Sequence, residues 1–200
     1  MKKIILIGAG GHCKSCIDII ETQNKYEIFG ILDNKKKNNI LNYKIIGTDK
    51  ILNKLSSKIK YAFITIGQIK DYKIRKKLFL NLKKKGFKFP VIISPFAHVS
   101  EHVKIGEGTI VMHNSIINAG SIIGSNCIIN SMALIEHDVK IESYCHISTR
   151  ATLNGNVKVG SGSFIGSNTV IKHGIKIGKE TIINSKKLIS KNVKNNAVLK

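Results

Sequence analysis

Tryptophan is absent from this 200-residue chain and proline occurs only twice. Acidic side chains are scarce too: 12 Asp and Glu stand against 33 Lys and Arg, a formal charge of +21. No apolar run approaches the ~20 residues of a transmembrane helix. The apolar start at residues 4–7 is far too short for a secretory signal. Of the four cysteines, Cys13 and Cys16 form one C-x-x-C. Cys127 and Cys145 supply no second pair at metal-ligand spacing. These absences argue against a membrane protein, a secreted disulfide scaffold and a zinc ribbon. They leave a cytoplasmic protein with reduced thiols, in which Cys13 and Cys16 are two thiols near the start of one helix. Arginine is nearly missing before residue 150, where Arg75 is the one example, and lysines are scattered in short runs at 35–37, 83–85 and 186–187. Specific nucleic-acid readout leans on arginine, so no nucleic-acid partner is expected. A basic surface still draws in small anionic substrates.

What is present falls into two halves with different periods. The first alternates strand and helix signals, with strands expected at 3–7, 27–32, 61–66 and 89–93 and helices at 12–22 and 69–85. The second helix carries an apolar stripe of Ile74, Leu78 and Leu82. Strands alternating with helices imply parallel βαβ units and a small Rossmann-like domain over residues 1–92.

The second half, residues 93–200, obeys a six-residue rule. From Ile93, steps of six reach Val99, Ile105, Val111, Ile117, Ile123 and so on to Ile189, and all seventeen positions are large and aliphatic. A hexapeptide period specifies a parallel β-helix, here of the left-handed kind. Three hexads make one triangular coil of 18 residues, with coils about 4.8 Å apart. Glycine often follows the aliphatic residue, as at Gly106 and Gly166, and small residues such as Thr109, Ser115 and Ala133 stand four after it. No hexad is interrupted, so no long loop projects.

The 18-residue coil also places the polar residues. His137 follows Ile135 by two and sits on a corner, between the carboxylates of Glu136 and Asp138, either of which could hold the ring. One coil away on either side lie Ala119 and Gly155, and two coils away lies His173. His137 is therefore the candidate general base, with room around it. Three converging histidines for zinc are not found: Glu142 stands five after His137, and Glu101 two coils before it. In the first half, Gly8, Gly10 and Gly11 precede a helix, the usual cradle for phosphate. Cys13 replaces the third glycine of the dinucleotide fingerprint, which disfavours NAD.

An α/β cap followed by this prism resembles the sugar acyltransferases of the PglD and NeuD type. The resemblance rests on Ile7-Gly8-Ala9-Gly10-Gly11-His12, Leu32-Asp33-Asn34, Ile66-Gly67 and Ile135-Glu136-His137-Asp138. It implies a homotrimer that uses acetyl-coenzyme A as co-substrate, with no metal and no membrane partner. His137 would be the base and Asp138 its orienting partner. A nucleotide-sugar site would use Gly8, Gly10, Gly11, His12, Asp33, Asn34 and Gly67, with Asn130 on the sugar. His146, Gly155 and Gly166 would line the acetyl-coenzyme A groove. The function so implied is N-acetylation of a UDP-linked 4-amino-4,6-dideoxy sugar. O-acetylation of a sialic-acid-like sugar is the rival within enzymes, and a non-catalytic solenoid that binds sugar nucleotides or scaffolds an enzyme assembly is the rival outside them. One departure from the family pattern stands at the end, where residues 183–200 lack the glycine-rich stretch and the closing G-x-P-A-K.

Overall fold

The computed structural model describes residues 1–35 and 38–200; Lys36 and Lys37, from the first lysine run, lie outside the described residues. The chain forms two compact units, Met1–Gly67 with Lys73–Ile92, and Gln68–Tyr72 with Ile93–Lys200.

In the first unit, strands β1 (Lys2–Ile7), β2 (Tyr26–Leu32), β3 (Ile45–Gly47) and β4 (Tyr61–Ile64) make a parallel sheet in the order β3-β2-β1-β4. Ile4 to Ile7 on β1 are buried, as a central parallel strand covered on both faces requires. Helix α1 (Gly11–Gln23) follows β1, the short α2 (Leu52–Ser56) precedes β4, and α3 (Lys73–Lys84) follows it. The sequence pattern missed β3 and α2, both too short for periodicity to register.

Three expectations need correction here. Helix α3 starts at Lys73 rather than 69, because Gln68–Tyr72 belong to the second unit, within which the Gln68 side-chain amide donates to the Tyr144 carbonyl at 2.8 Å. The α3 stripe is also displaced. Ile74 is exposed, whereas Arg75 is fully buried, with Nη1 donating to the carbonyls of Ile64 and Ile66 at the end of β4. Those carbonyls lie beyond the sheet's own ladder, and a guanidinium satisfies them. The strand expected at 89–93 is only Ile92–Ile93, and it belongs to the prism as the first rung of one face.

The second unit is a left-handed parallel β-helix with faces of five, six and seven two-residue strands. Register is 18 residues up to Ile189, as in Ile129 beside Ile147 and Leu153 beside Ile171, and shortens to 16 in the last coil, where Ile177 lies beside Val193 and Ile183 beside Leu199. All seventeen aliphatic ladder positions lie in one core cluster, each worth about 2 kcal/mol when fully buried. The corners have their own ladder. Ser121 Oγ donates to the Glu136 carbonyl at 2.7 Å and accepts from the Val139 amide at 3.1 Å. Ser163 repeats this with Gly178 and Thr181 at 2.8 and 3.0 Å. Cys127 and Cys145 occupy the same corner position, their thiols directed at the Glu142 and Gly160 carbonyls at 3.3 and 3.2 Å. The small residues four after each aliphatic thus tie one coil to the next.

A second corner signal escaped the sequence analysis. The third residue after every ladder aliphatic from Ile105 to Ile183 has positive φ. Gly108, Asn114, Gly120, Asn126 and Asp138 are among them. Glycine, asparagine and aspartate tolerate the left-handed region best, and their enrichment at this position was the available clue. Tyr144, Arg150 and Glu180 adopt it as well, held there by the coils above and below.

Candidate active site

His137 follows the rung Leu134–Ile135, on the corner before the rung Lys140–Ile141. Adjacent side chains in a strand point to opposite faces. Asp138 breaks that alternation by taking φ +60°, and its Oδ2 accepts a hydrogen bond from His137 Nδ1 at 2.9 Å. With Nδ1 donating, Nε2 of the neutral ring is an acceptor. The other carboxylate, Glu136, accepts from the Asn118 amide at 2.9 Å instead. Both members of the pair are about half exposed.

Two glycines make room for this pair. A Cβ on Gly155 would fall 2.5 Å from His137 Nε2 and 3.1 Å from His173 Nδ1. A Cβ on Gly120 would collide with Asp138 Oδ1. Gly155 lies one coil from His137, as the spacing predicts. Gly120 is one the spacing missed, because it faces Asp138 rather than the histidine.

Asn130 and His146 come together on another face, in a groove of about 720 Å³ that also includes Ser148, Phe164, Asn184 and Lys200. His146 is buried, and its Nδ1 donates to the Gln68 carbonyl. The Asn130 amide orientation is set by its Oδ1, which accepts from the Ser131 amide at 2.8 Å. Its Nδ2 therefore donates to His146 Nε2 at 3.2 Å. These bonds hold the ring in place and leave no N–H of a neutral imidazole for an oxyanion. Asn130 and His146 were expected on different ligands; they share one groove. Gly166 stands against the Asn184–Ser185 backbone of the next coil, where a Cβ would approach to 2.5 Å, so close coil stacking accounts for it.

The first unit carries a cleft of about 780 Å³ lined by Gly8, Gly10, Gly11, His12, Asp33, Asn34 and Gly67, all the residues expected there. Gly8 has φ +107° and abuts Ile66, so the fold itself demands glycine; Gly10 and Gly11 face open space. Asp33 bridges two backbones: Oδ2 accepts from the Ala9 amide and Oδ1 from the Lys35 amide, both at 2.8 Å. It shapes the glycine loop, in addition to anything it does for a ligand. Asn34 pairs with Asp49 at 3.0 Å, and Gly67 packs on His12. Ile74, Lys77 and Asn81 of α3 also line the cleft and were not singled out from sequence. Ile74 is exposed because it faces this cleft instead of the core.

The C-x-x-C is fully buried. Burial, with Cys13 beside it, pushes the Cys16 thiol far above the ordinary range, which removes the thiolate that redox chemistry needs.

The profile of the PglD N-terminal domain matches residues 3–82, and that of the bacterial transferase hexapeptide (six repeats) matches residues 102–137. PerB from Caulobacter crescentus, solved in complex with CoA and GDP-perosamine, is 30% identical, with a TM-score of 0.93 over 99% of this chain and 93% of that one. The chain belongs to the PglD/NeuD-type sugar acyltransferase family. The acetyltransferase domain of PglB from Neisseria gonorrhoeae, solved with acetyl coenzyme A, is similar at 29% identity and TM-score 0.93, covering 98% of this chain and 95% of that one. WeeI from Acinetobacter baumannii, 22% identical with a TM-score of 0.86 over 99% and 96% of the two chains, shares the fold. No curated protein matches the chain significantly. Despite its divergent tail, the chain ends its prism with paired rungs: Val198–Leu199 pairs with Ile182–Ile183. Among the described residues no three His, Cys, Asp or Glu side chains converge on a metal position, and no helix is long and apolar enough to cross a membrane.

Proposed function

We propose that this acyltransferase moves the acetyl group of acetyl-coenzyme A to the amine of a nucleotide-linked 4-amino-4,6-dideoxy sugar, with His137 as general base. The observation that carries the reading is the His137–Asp138 pair beside Gly155. The neutral amine attacks the thioester carbonyl carbon. As the C–N bond forms, the proton leaving nitrogen passes to His137 Nε2, and the Asp138 carboxylate stabilises the imidazolium. As the tetrahedral intermediate collapses, the C–S bond breaks and the imidazolium returns its proton to the departing thiolate. The sugar nucleotide is proposed to bind the first-unit cleft, its phosphates at the glycine loop and α1 N-terminus, where no acidic residue occupies the first turn. UDP is the nucleotide that the family resemblance implies, and the GDP-perosamine held by PerB makes GDP the alternative to test.

The working form is proposed to be a homotrimer. His137 stands on the corner opposite the face that bears His146, so one chain alone cannot bring the two to one substrate. The face ending at the His137 corner carries a largely apolar outward column in register, Ile116, Leu134, Val170 and Leu188 with Thr152 among them, in which Ile116 and Leu188 are exposed at 41% and 64%. Packing such a column on a neighbouring prism would put His137 of one subunit beside the Asn130–His146 groove of the next.

His137→Ala is expected to keep the assembled fold and lose about 10²-fold or more in turnover; near-normal activity overturns the mechanism. Thermal shifts with acetyl-coenzyme A and with UDP-, GDP- and CMP-sugars separate the acceptors. Stabilisation by CMP-sialic acid alone supports sialic-acid O-acetylation, and stabilisation by none supports a scaffold. Sedimentation as a monomer removes the intersubunit site.

A further inference from the structure

Gly155 has no conformational reason to be glycine. Its φ lies outside the left-handed range, which the neighbouring Asn156 takes instead at +61°. What a side chain there would strike is a pair of imidazole nitrogens, Nε2 of His137 and Nδ1 of His173, which approach the same point from the coils on either side. The two rings are 6.3 Å apart between centres and inclined at 47°. The empty space above Gly155 is thus bounded by two bases. His173 is exposed on the second coil from His137.

The stoichiometry of amine acetylation calls for two proton acceptors. An alkyl amine near neutral pH is an ammonium ion. In R–NH3⁺ + CH3CO–SCoA → R–NH–COCH3 + HSCoA + H⁺, two protons leave nitrogen. One goes to the thiolate as the C–S bond breaks, the path already assigned to His137. The other must leave before attack, to free the lone pair that forms the C–N bond, and it ends in solvent.

We propose that His173 is a second catalytic base, whose Nδ1 takes the first proton from the bound acceptor ammonium and passes it to water, so that His137 receives the second. The inference rests on the acetyltransferase reading and deepens it. Exposure of His173 suits the release step, and the Asp138 bond to His137 suits retention of the other proton for the thiolate. The charged groups beside His173 are the His137 ring with its Asp138 partner on one side and its chain neighbour Lys172, and Lys191 follows Ile189, the rung paired with Ile171, by two residues as His173 follows Ile171.

The test is the pH profile of kcat/KM for the acceptor, measured from pH 6 to 9.5 with saturating acetyl-coenzyme A. A UDP-4-amino-4,6-dideoxy sugar and GDP-perosamine serve as acceptors, on the unaltered protein, His173→Asn and His137→Asn. Without His173 only the free amine reacts, so the low-pH limb moves upward. His173→Asn is expected to lose roughly 10-fold or more near pH 6.5, at the lower end of what one positioned base contributes. It should return to about the unaltered rate above pH 9, where the amine is already neutral. His137→Asn is expected to lose about 10²-fold at every pH. A loss in His173→Asn that is the same at all pH values, or no loss at low pH, overturns the inference and leaves the acetyltransferase reading standing. Absence of turnover by the unaltered protein with both acceptors overturns that reading instead.

Discussion

Asp138 accepts a hydrogen bond at 2.9 Å from the ring of His137, its own chain neighbour. The contact exists because Asp138 is left-handed and Gly120 leaves room for its carboxylate. Asp138→Asn keeps the shape, and asparagine tolerates the same backbone. It removes the charge that supports the imidazolium and lets the amide present an N–H to Nδ1, which stabilises the wrong tautomer. The expected result is a fall in kcat of about 10²-fold or more with KM nearly unchanged, read by steady-state kinetics.

Gly155→Ala probes the space between the two histidines. The backbone accepts alanine, so the melting temperature should stay within a few degrees of the original. The methyl group displaces His137 Nε2, however, and activity should fall as far as in His137→Ala. Retained activity would show that the catalytic ring points elsewhere.

The corner ladder has a measurable worth. Ser163→Ala removes a donor to the Gly178 carbonyl and an acceptor for the Thr181 amide in a position buried from water. The loss should be about 1–3 kcal/mol per group left unsatisfied, seen in chemical denaturation, with activity at permissive temperature unchanged.

All four cysteines are buried as thiols, with no disulfide between them. Burial raises the Cys16 and Cys145 thiols, with Cys13 adding to the first and the hydrogen-bonded Cys127 to the second. A thiol reagent at pH 8 should therefore label none of them in the native protein and all four after denaturation. The sign of the stability effect follows. The folded values lie above those of the unfolded chain, near 8.5, so this contribution is complete below about pH 8.5 and is lost as pH rises above it. Cys16→Ala should flatten the alkaline decline in melting temperature.

One prism face stacks Lys140, Lys158 and Lys176 in register on successive coils, all exposed. Like charges directly opposite one another are unfavourable. Lys158→Gln should raise the melting temperature by ~1–2 °C at low salt. The difference should vanish in about 0.5 M salt, where screening shortens the reach of each charge.

The amino-acid sequence by itself determined the architecture of the second unit and the address of its proposed base. An aliphatic residue every six positions can be buried in only one register, so the ladder from Ile93 to Ile189 specifies the coil, and the coil places Gly155 and His173 around His137. The glycine loop and Asp33 were legible for a similar reason, since a strand, a tight turn and a helix start leave a local pattern. Only the tertiary structure decided what depends on contacts between distant segments. Gln68 reaches the Tyr144 carbonyl 76 residues away, and this shifts the start of α3. Arg75 turns inward because two strand-end carbonyls need a donor. His146 takes its tautomer from Gln68 and Asn130, which spacing cannot reveal. The resemblance already named Asp138 rather than Glu136 as the partner of His137; the physical reason, backbone handedness at a corner that sets two neighbouring side chains side by side, is visible only in the structure.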